Sequence, residues 1–398
     1  MSSITITGAM IFDGVDVRTS PGSVRAVDGT IVAVGAVEPE PDDVVVDGTG
    51  RMLLPGLIDA HMHAYGTSLD AMEIDASRLS YVAVAGAARL RAALRRGFTT
   101  VRDVAGGDPG LARAIDEGFT MAPRYLYSGP AISQTGGHGD PRPGEIDHCQ
   151  LHGHLGEVVD GVDAMRRVVR DRFRTGAHCI KIMTSGGVVS PTDPIRLVQF
   201  SADEVRIAVE EATRRGSYVA AHAYSPEGIA HAVENGVRTI EHGNLMDADA
   251  AALMARHGAA LIPTLVAYDA MGRRGEAMGL PLVGRIKNQE VLEAGKEAIA
   301  IARAAGVTIG FGTDLMGPLE DDQLLGVRLQ AEVDGMLETL RSATSVNAGI
   351  LGIDALGRIE PGAIADLLLV DGDPMTDAAA LWDERRPRTV IQAGRIVD

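Results

Sequence analysis

The sequence predicts an α/β fold with an additional all-β part, and three observations lead to this expectation. Apolar strand-like segments alternate with Ala-, Arg- and Glu-rich helical segments through the middle of the chain, which is typical of a parallel sheet built from successive βα units. Eight such strands can be counted, the number that closes a (β/α)8 TIM barrel. Short strands separated by Asp-Gly turns occur at both chain ends, which predicts a small β-sandwich domain assembled from both chain ends.

The expected β-sandwich consists of two segments that are far apart in the sequence. The first covers residues 1–55, where three hairpin-turn signals separate short strands: Asp13-Gly14, Asp28-Gly29 and Asp47-Gly48. The second covers residues 353–398, in which the turn Asp371-Gly372 separates two further apolar strands. Residues 56–352 are left for the barrel.

The eight strands predicted for the barrel are short and apolar. They cover residues 56–63, 98–104, 124–129, 179–185, 218–223, 239–243, 259–265 and 308–314. The helix after the fifth strand has clear ends, since Ser225 suits the N-cap, Pro226 the first helical position and Asn235-Gly236 the C-terminus. We therefore expect His222 to lie on a strand just before this helix.

Composition limits the class of protein and of partner. The chain has 398 residues, 45% of them hydrophobic, so it can bury a large core. A net charge of -17 argues against nucleic acid as a partner, because binding to phosphates needs clustered Lys and Arg. No apolar run is long enough for a membrane span, and no signal peptide is recognised at the start. Only two cysteines occur, Cys149 and Cys179, which suits a reducing cytoplasm.

Two histidines at the end of the first barrel strand are the first sign of a functional site. His61 and His63 are one residue apart, so on a strand both side chains point to the same face. Active sites of such barrels lie at the carboxyl ends of the strands. Neutral imidazole is a common ligand of zinc-like ions, and two on one strand can supply half of a catalytic site.

Further polar residues are predicted at the ends of other barrel strands. They are Lys181 on the fourth strand, His222 on the fifth, His242 on the sixth and Asp314 on the eighth. A buried cluster of His and Asp is costly unless its members are paired or bind a metal, so their joint placement favours a metal site. The amine of Lys181 would repel a cation. Carbamylation by carbon dioxide would turn it into an oxygen ligand that can bridge two cations.

Taken together, these residues resemble the amidohydrolase superfamily, and within it the prolidase-like Xaa-Pro dipeptidase group that is related to imidazolonepropionase. The resemblance spans nearly the whole chain and is most specific in residues 133–141 (SQTGGHGDP), 180–188 (IKIMTSGGV), 221–224 (AHAY) and 239–244 (TIEHGN). It implies two divalent metal ions, usually zinc. One would be held by His61, His63, Lys181 and Asp314, and the other by carbamylated Lys181, His222 and His242. It also implies a homo-oligomer.

The resemblance also implies roles in amide hydrolysis. Two metals lower the pKa of a bridging water, so that the resulting hydroxide attacks the scissile carbonyl. Asp314 would accept the proton of that water and pass it to the leaving amine. Tyr224 could donate a hydrogen bond to the developing oxyanion, although a packing role is nearly as reasonable. His138 resembles a substrate-contacting histidine of the group, the alternative being a solvated loop residue.

The substrate is the least determined part of the prediction. The first expectation is an Xaa-Pro dipeptide or an N-acyl amino acid, whose free carboxylate would need Arg142 or the backbone amides of Gly186 and Gly187. The second is a xenobiotic or cyclic amide, carbamate, ester or organophosphate, or a mycotoxin amide such as ochratoxin, because the loops of a barrel set its substrate. The third is a metal-binding scaffold without activity, against which the intact Asp314 argues.

Overall fold

The computed structural model describes residues 2–142, 153–190 and 193–397, so Cys149 lies outside the described residues. Strands in this part of the chain are β1 Ser3–Ile11, β2 Gly22–Val27, β3 Thr30–Gly35, β4 Val44–Asp47, β5 Arg51–Pro55, β6 Leu57–Met62, β7 Phe98–Asp103, β8 Arg124–Tyr127, β9 Ala131–Ser133, β10 Gly156–Val158, β11 Ile180–Met183, β12 Val219–Ala223, β13 Thr239–His242, β14 Ala260–Ile262, β15 Thr308–Ile309, β16 Leu367–Asp371, β17 Arg388–Gln392 and β18 Arg395–Ile396.

Most of the helices lie between the strands of the middle part. The α-helices are α1 Ala71–Ala76, α2 Leu79–Arg96, α3 Pro109–Asp116, α4 Val162–Arg174, α5 Ala202–Thr213, α6 Pro226–Glu234, α7 Ala248–His257, α8 Leu265–Arg274, α9 Leu282–Ala304, α10 Gln323–Asp334, α11 Met336–Arg341, α12 Asn347–Leu351 and α13 Ala379–Trp382. A 3₁₀ turn covers Gly317–Asp322, and a π-helical turn covers Ser342–Val346. No helix of the described residues has the length and apolar character that crossing a membrane requires.

The two chain ends share one sheet, as the sequence predicts. Strand β16 pairs antiparallel with β5, which places Leu368 opposite Leu54. The strand order is β18-β17-β16-β5-β1-β2-β3, and β4 pairs with β1, so eight strands are connected. The arrangement of these strands as a two-layer sandwich stays a prediction.

Alternate residues of this sheet enter two different cores. Leu53, Leu367 and Leu369 pack with side chains of β1, β2 and β3 in a core of the β part itself. Met52 and Leu54 point the other way and join a second core, to which α2 and β7 also contribute. This division follows from the period of two in strand side chains. The β part is therefore attached to the rest of the chain by a continuous apolar interface.

The middle of the chain is an α/β structure with parallel strands. Seven strands form the sheet β10-β9-β11-β12-β13-β14-β15, and three form the sheet β6-β7-β8. All eight predicted barrel strands occur, and β9 and β10 are additional short strands in the connection after β8. Backbone hydrogen bonds link the two sheets on both sides. On one side Ala60 N–H donates to Phe311 O (3.0 Å) and Asp314 N–H donates to His61 O (2.7 Å), and on the other His178 N–H donates to Tyr127 O (2.8 Å). Closure into an eight-stranded barrel stays a prediction.

The helix after β12 has the ends that the sequence predicts. Ser225 Oγ accepts the N–H of Gly228 (3.2 Å), Pro226 occupies the first turn, and the C-cap is Asn235. Gly236 follows with φ of 93°, a conformation that costs glycine little. Because β12 and β13 are parallel neighbours, with Ala223 opposite His242, the ends of both strands deliver their histidines to the same edge of the sheet.

Candidate metal centre and active site

A cavity that is partly open to solvent lies where the carboxyl ends of the parallel strands meet. Eight of the residues predicted for the site line it: His61, His63, His138, Lys181, His222, Tyr224, His242 and Asp314. They come from separate strands and connections, and tertiary folding brings them together. Arg142, Gly186 and Gly187 are not among the described lining residues.

Asp314 lies at the centre of this group. Its Oδ1 is 2.8 Å from His63 Nε2 and 3.4 Å from His61 Nε2, and its Oδ2 is 3.8 Å from His242 Nδ1. Burial by itself would raise the pKa of this carboxyl, but the facing imidazoles hold it well below its usual value. Asp314 and His242 both have a positive φ, of 54° and 77°, which is unusual for residues other than glycine. Such backbone strain occurs most often at functional sites.

Two of the imidazoles and the Asp314 carboxylate are close enough to contact one cation. One nitrogen each of His61 and His242 and one oxygen of Asp314 lie within 4.8 Å of one another. The ring of His222 is 4.6 Å from that of His242, centre to centre, and its Nε2–H donates to Gly186 O (3.0 Å). Burial lowers the pKa of both His222 and His242 well below the usual value. They are therefore neutral, which is the form that binds metals.

Lys181 completes the group from the fourth predicted barrel strand, β11. Its amine is buried, and no hydrogen-bond partner of Nζ is found among the described residues. Burial lowers the pKa of this amine to about 8. A buried amine that is readily neutral and has no partner fits the carbamylated ligand implied by the resemblance. Imidazoles, a carboxylate and such a lysine form a donor set suited to divalent cations.

A buried ion pair supports His61 from behind. Its Nδ1–H donates to Glu241 Oε2 (2.7 Å), and Arg102 donates to Oε1 of the same carboxylate (2.8 Å). The hydroxyl of Thr239 donates to Oε1 as well (2.6 Å). The pKa of Glu241 lies far below its usual value because Arg102 and His61 outweigh the effect of burial. The carboxylate leaves His61 Nε2 as the nitrogen available to a metal.

Neither Arg102 nor Glu241 was predicted from the sequence as part of the site. A signal existed, since each is a charged residue on a strand predicted for the interior of the barrel and their charges are opposite. Both side chains are almost completely buried. Buried charges are rarely found without a partner, so one could have been expected to need the other.

Two further buried carboxylates hold the ends of strands in place. Asp59 accepts the N–H of His61 (3.1 Å), as well as the N–H (3.0 Å) and the hydroxyl (2.6 Å) of Thr313, the residue before Asp314. Asp103 accepts the Tyr125 hydroxyl (2.7 Å) and lies 3.9 Å from His63 Nδ1. Burial raises the pKa of both carboxyls. The contacts of Asp59 connect strand β6 to the segment after β15, and those of Asp103 connect β6 to its neighbour β7.

Two tyrosines border the cavity. The ring of Tyr224 meets that of His222 edge to face at 4.8 Å, and its hydroxyl oxygen is 2.9 Å from that of Tyr268. Burial raises the pKa of Tyr224 far above its usual value, so the hydroxyl keeps its proton and can donate it in a hydrogen bond. Tyr268 was not predicted from the sequence, because it lies on helix α8 and no motif marks it.

His138 lies in the cavity wall, next to His222 of strand β12. Its ring stacks on that of His222 with centres 4.1 Å apart, and its Nδ1 is 2.8 Å from Ser190 Oγ. A Cβ atom on Gly187 would lie 1.9 Å from His138 Cε1, which explains the glycine at this position. His138 is thus held by packing and not solvated as a loop residue would be.

The three groups predicted to bind a substrate carboxylate are engaged within the chain. Arg142 forms a two-point ion pair with Asp140, with both N–O distances at 2.6 Å. Gly186 N–H donates to Leu197 O (3.1 Å), and Gly187 N–H donates to Asp193 Oδ2 (2.9 Å). A role in carboxylate binding stays a prediction, and for the two glycines it would require these bonds to break.

Comparison with known proteins agrees with this geometry. The sequence profile of the Amidohydrolase family matches residues 52–397. The chain belongs to the amidohydrolase family. As a member of it, the chain is an enzyme, a hydrolase of amide bonds, which confirms the prediction made from the sequence.

Three similar proteins illustrate this membership. Ochratoxinase from Aspergillus niger is 32% identical over 372 residues, covering 87% of this chain and 75% of that protein. The solved structure of a prolidase complexed with N-methylphosphonate-L-proline is 42% identical, covers 100% of both chains and has a TM-score of 0.96. The structure of a Xaa-Pro dipeptidase with methionine bound in its active site is 29% identical, again over 100% of both chains, with a TM-score of 0.90.

Proposed function

We propose that this amidohydrolase cleaves the amide bond of an Xaa-Pro dipeptide or of an N-acyl amino acid with the help of two divalent metal ions, zinc being the first candidate. The observation that carries the proposal is the cavity itself. It combines five imidazoles, the carboxylate of Asp314 and the buried amine of Lys181, for which the described residues offer no hydrogen-bond partner, at one end of the parallel strands. We also propose that these strands close into a (β/α)8 barrel.

The donor atoms divide into two groups. His61, His63 and Asp314 would hold one metal ion, and His222 and His242 the other, with carbamylated Lys181 shared between them. When bound, the two ions supply an activated water as nucleophile and polarise the scissile carbonyl. The contacts of the rings support the roles of His61 and His222 as ligands, since His61 Nδ1 is bonded to Glu241 and His222 Nε2 to Gly186, which leaves the opposite nitrogen of each for a cation.

Three side chains would act on the substrate and on protons. Asp314 is hydrogen-bonded to His63 at 2.8 Å and would accept a proton from the attacking water and pass it to the leaving amine. Tyr224 would donate a hydrogen bond from its hydroxyl to the carbonyl oxygen as negative charge develops there. His138, stacked on His222, would contact the substrate beside the scissile bond.

The remaining cavity wall suits an apolar group next to that bond. It is largely aliphatic and sulfur-containing, and its members include Leu69, Met183, Val188, Met271, Met316 and Leu319. Methionine side chains adapt to ligands of different shape. We therefore propose that the acyl side of the substrate, or the first residue of a dipeptide, is apolar.

Two similar proteins favour two substrates. The prolidase of known structure was complexed with a phosphonate of proline and is 42% identical, which favours an Xaa-Pro dipeptide. Ochratoxinase is 32% identical and favours the second candidate, a mycotoxin amide such as ochratoxin. The apolar wall can accommodate either substrate.

Some expectations remain proposals. We propose a division of the chain at residues 55/56 and 352/353, a homo-oligomeric assembly, a small molecule or dipeptide as the partner, and a cytoplasmic location. The chain ends that meet in one sheet support the first of these. The net charge of -17 supports the absence of a nucleic-acid partner.

A substrate screen with zinc-loaded protein tests the proposed function. The library should contain Xaa-Pro and non-proline dipeptides, N-acyl amino acids including ochratoxin, and carbamates, lactones and phosphotriesters. Turnover confined to amides, with a preference for apolar acyl groups, would support the proposal. Hits dominated by lactones or carbamates would refute the dipeptidase function, and bound metal without turnover of any compound would indicate a non-catalytic scaffold.

A further inference from the structure

Tyr268 extends the candidate site beyond the residues predicted from the sequence. It is fully buried on α8, and its hydroxyl oxygen lies 2.9 Å from Tyr224 Oη and 2.7 Å from His242 Nδ1. Thr264 Oγ1 lies 2.8 Å from the same nitrogen and 3.5 Å from the Tyr268 hydroxyl. A continuous row of hydrogen-bonding groups therefore leads from a candidate metal ligand to Tyr224.

The proton of the imidazole sets the direction of this row. His242 Nδ1 already has two hydroxyl groups within 2.8 Å, so Nε2 is the nitrogen left for a cation. A neutral imidazole that binds a cation through Nε2 carries its proton on Nδ1. Nδ1 therefore donates, and the Tyr268 hydroxyl at 2.7 Å is the nearer acceptor, with Thr264 Oγ1 at 2.8 Å.

The Tyr268 hydroxyl can itself donate one hydrogen bond. Having accepted a bond from His242, it can donate to Tyr224 at 2.9 Å, whereas in the longer contact with Thr264 (3.5 Å) the threonine hydroxyl is the donor. Within the described residues, Tyr268 is the hydrogen-bond partner of the Tyr224 hydroxyl. The proton of Tyr224 is then free to face the cavity that this side chain lines.

We propose that Tyr268 is a positioning residue that keeps the hydroxyl proton of Tyr224 directed at the substrate carbonyl. The proposal rests on the proposed function, because it assumes a cation at His242 and a carbonyl next to Tyr224. A hydroxyl that accepts a hydrogen bond also becomes a better donor, since bonds in such a chain polarise one another. Tyr268 would thus fix the direction of the Tyr224 hydroxyl and strengthen its bond to the developing oxyanion.

Neutron diffraction of the deuterated protein, crystallised with zinc, tests the direction without any substrate. The expected result is a deuterium on Tyr268 Oη that points to Tyr224, with the imidazole deuterium of His242 on Nδ1. A deuterium on Tyr224 that points to Tyr268 would overturn the proposal. This result is independent of turnover, so it decides the role of Tyr268 even if the substrate screen finds no hydrolysed amide.

A double-mutant cycle tests the consequence for catalysis. Tyr224→Phe should lower kcat by roughly 100-fold, as the loss of an oxyanion donor does. Tyr268→Phe should lower kcat by roughly tenfold with little change in KM, as expected for the loss of one hydrogen bond felt in the transition state. The double variant should be no slower than Tyr224→Phe, because Tyr268 acts only through Tyr224.

Control measurements separate this role from a merely structural one. Metal content per chain should stay at the wild-type level in Tyr268→Phe, since Thr264 Oγ1 can still accept from His242. Tyr127→Phe is the control, because it removes a partly buried hydroxyl whose bond to Thr175 O (2.6 Å) lies outside the cavity. If Tyr268→Phe lowered kcat by the same factor with and without the Tyr224 hydroxyl, the proposal would be overturned. A fall in kcat that matches a loss of bound metal would overturn it as well.

Discussion

Glu241 accepts the Nδ1–H of His61 at 2.7 Å, and its other oxygen accepts a bond from Arg102 at 2.8 Å. All three side chains are buried, so none of these charges is stabilised by water. The ion pair therefore links the stability of the fold to the orientation of a candidate metal ligand. Removing one charge alone should be more harmful than removing both.

Glu241→Gln should lower the free energy of unfolding by about 3–5 kcal/mol, because it leaves the guanidinium of Arg102 buried without a counter-charge. The double variant Arg102→Gln, Glu241→Gln should recover most of that loss. Denaturant unfolding of the metal-free proteins measures the loss in the single variant and the recovery in the double variant. Glu211→Gln is the matched control, since Glu211 is buried but its partner Arg170 is half exposed. A double variant less stable than Glu241→Gln would contradict the expectation.

The same pair should affect metal binding. In the double variant the His61 ring can still donate to a glutamine oxygen, but without a carboxylate it is a weaker ligand. We expect its affinity for zinc to fall by about 10–100-fold, as measured by competition with a chelator. An unchanged affinity would mean that His61 does not bind metal through Nε2.

Lys181→Ala should lose metal and most of its activity, because it removes the proposed bridging ligand. Short carboxylic acids should restore part of both by taking the place of the carbamate. Metal analysis and turnover with and without added acetate are the measurements, and Lys296→Ala, a change at a half-exposed lysine on α9, is the control. Two metal ions per chain and normal turnover in Lys181→Ala would refute the carbamylated lysine.

Asp314→Asn should separate proton transfer from metal binding. An amide oxygen can still coordinate, so we expect much of the metal to remain, whereas kcat should fall by about 10²–10⁴-fold, the usual contribution of a general acid-base group. Metal content and kcat should be measured on the same sample. A kcat within a few-fold of wild type would assign the proton shuttle to another residue.

Arg142→Ala tests how the substrate carboxylate is recognised. If Arg142 contacts that group in addition to Asp140, KM should rise for substrates with a free carboxylate and stay nearly the same for their methyl esters. Steady-state kinetics on both series, with the substrates identified by the screen, give the answer. An equal rise for acids and esters would show that the ion pair with Asp140 only holds the connection after β9.

Asp43 should make the stability of the β part depend on pH. The bond from Arg25 (2.9 Å), together with that from Thr5 (2.6 Å), holds the pKa of this carboxyl well below its value in an unfolded chain. A lowered folded-state pKa stabilises the fold above the unfolded-state value, near 3.8, and this contribution is lost as the pH falls further. Asp43→Asn should therefore lower Tm at neutral pH, and the difference from wild type should shrink below about pH 4. A difference independent of pH would contradict the assignment.

Several features could be predicted from sequence because they depend on neighbouring residues. The apolar strands and the shared face of His61 and His63, which are separated by one residue, follow from the period of two in strands. The ends of helix α6 follow from capping residues and turn signals. The predicted strand ends also included Lys181 and Asp314, and the family resemblance added their assignment to two metal ions. Their position in one cavity agrees with this expectation.

Only the tertiary structure showed the contacts that hold these residues in place. His61 and Glu241 are 180 residues apart, and Tyr268 meets His242 from a helix that no motif marks. Likewise, the N–H groups of Gly186 and Gly187 are engaged within the chain, which their sequence does not reveal. The physical reason is that a local pattern reports which face of a strand or helix is buried. Which distant atoms meet there is decided by the packing of the whole chain.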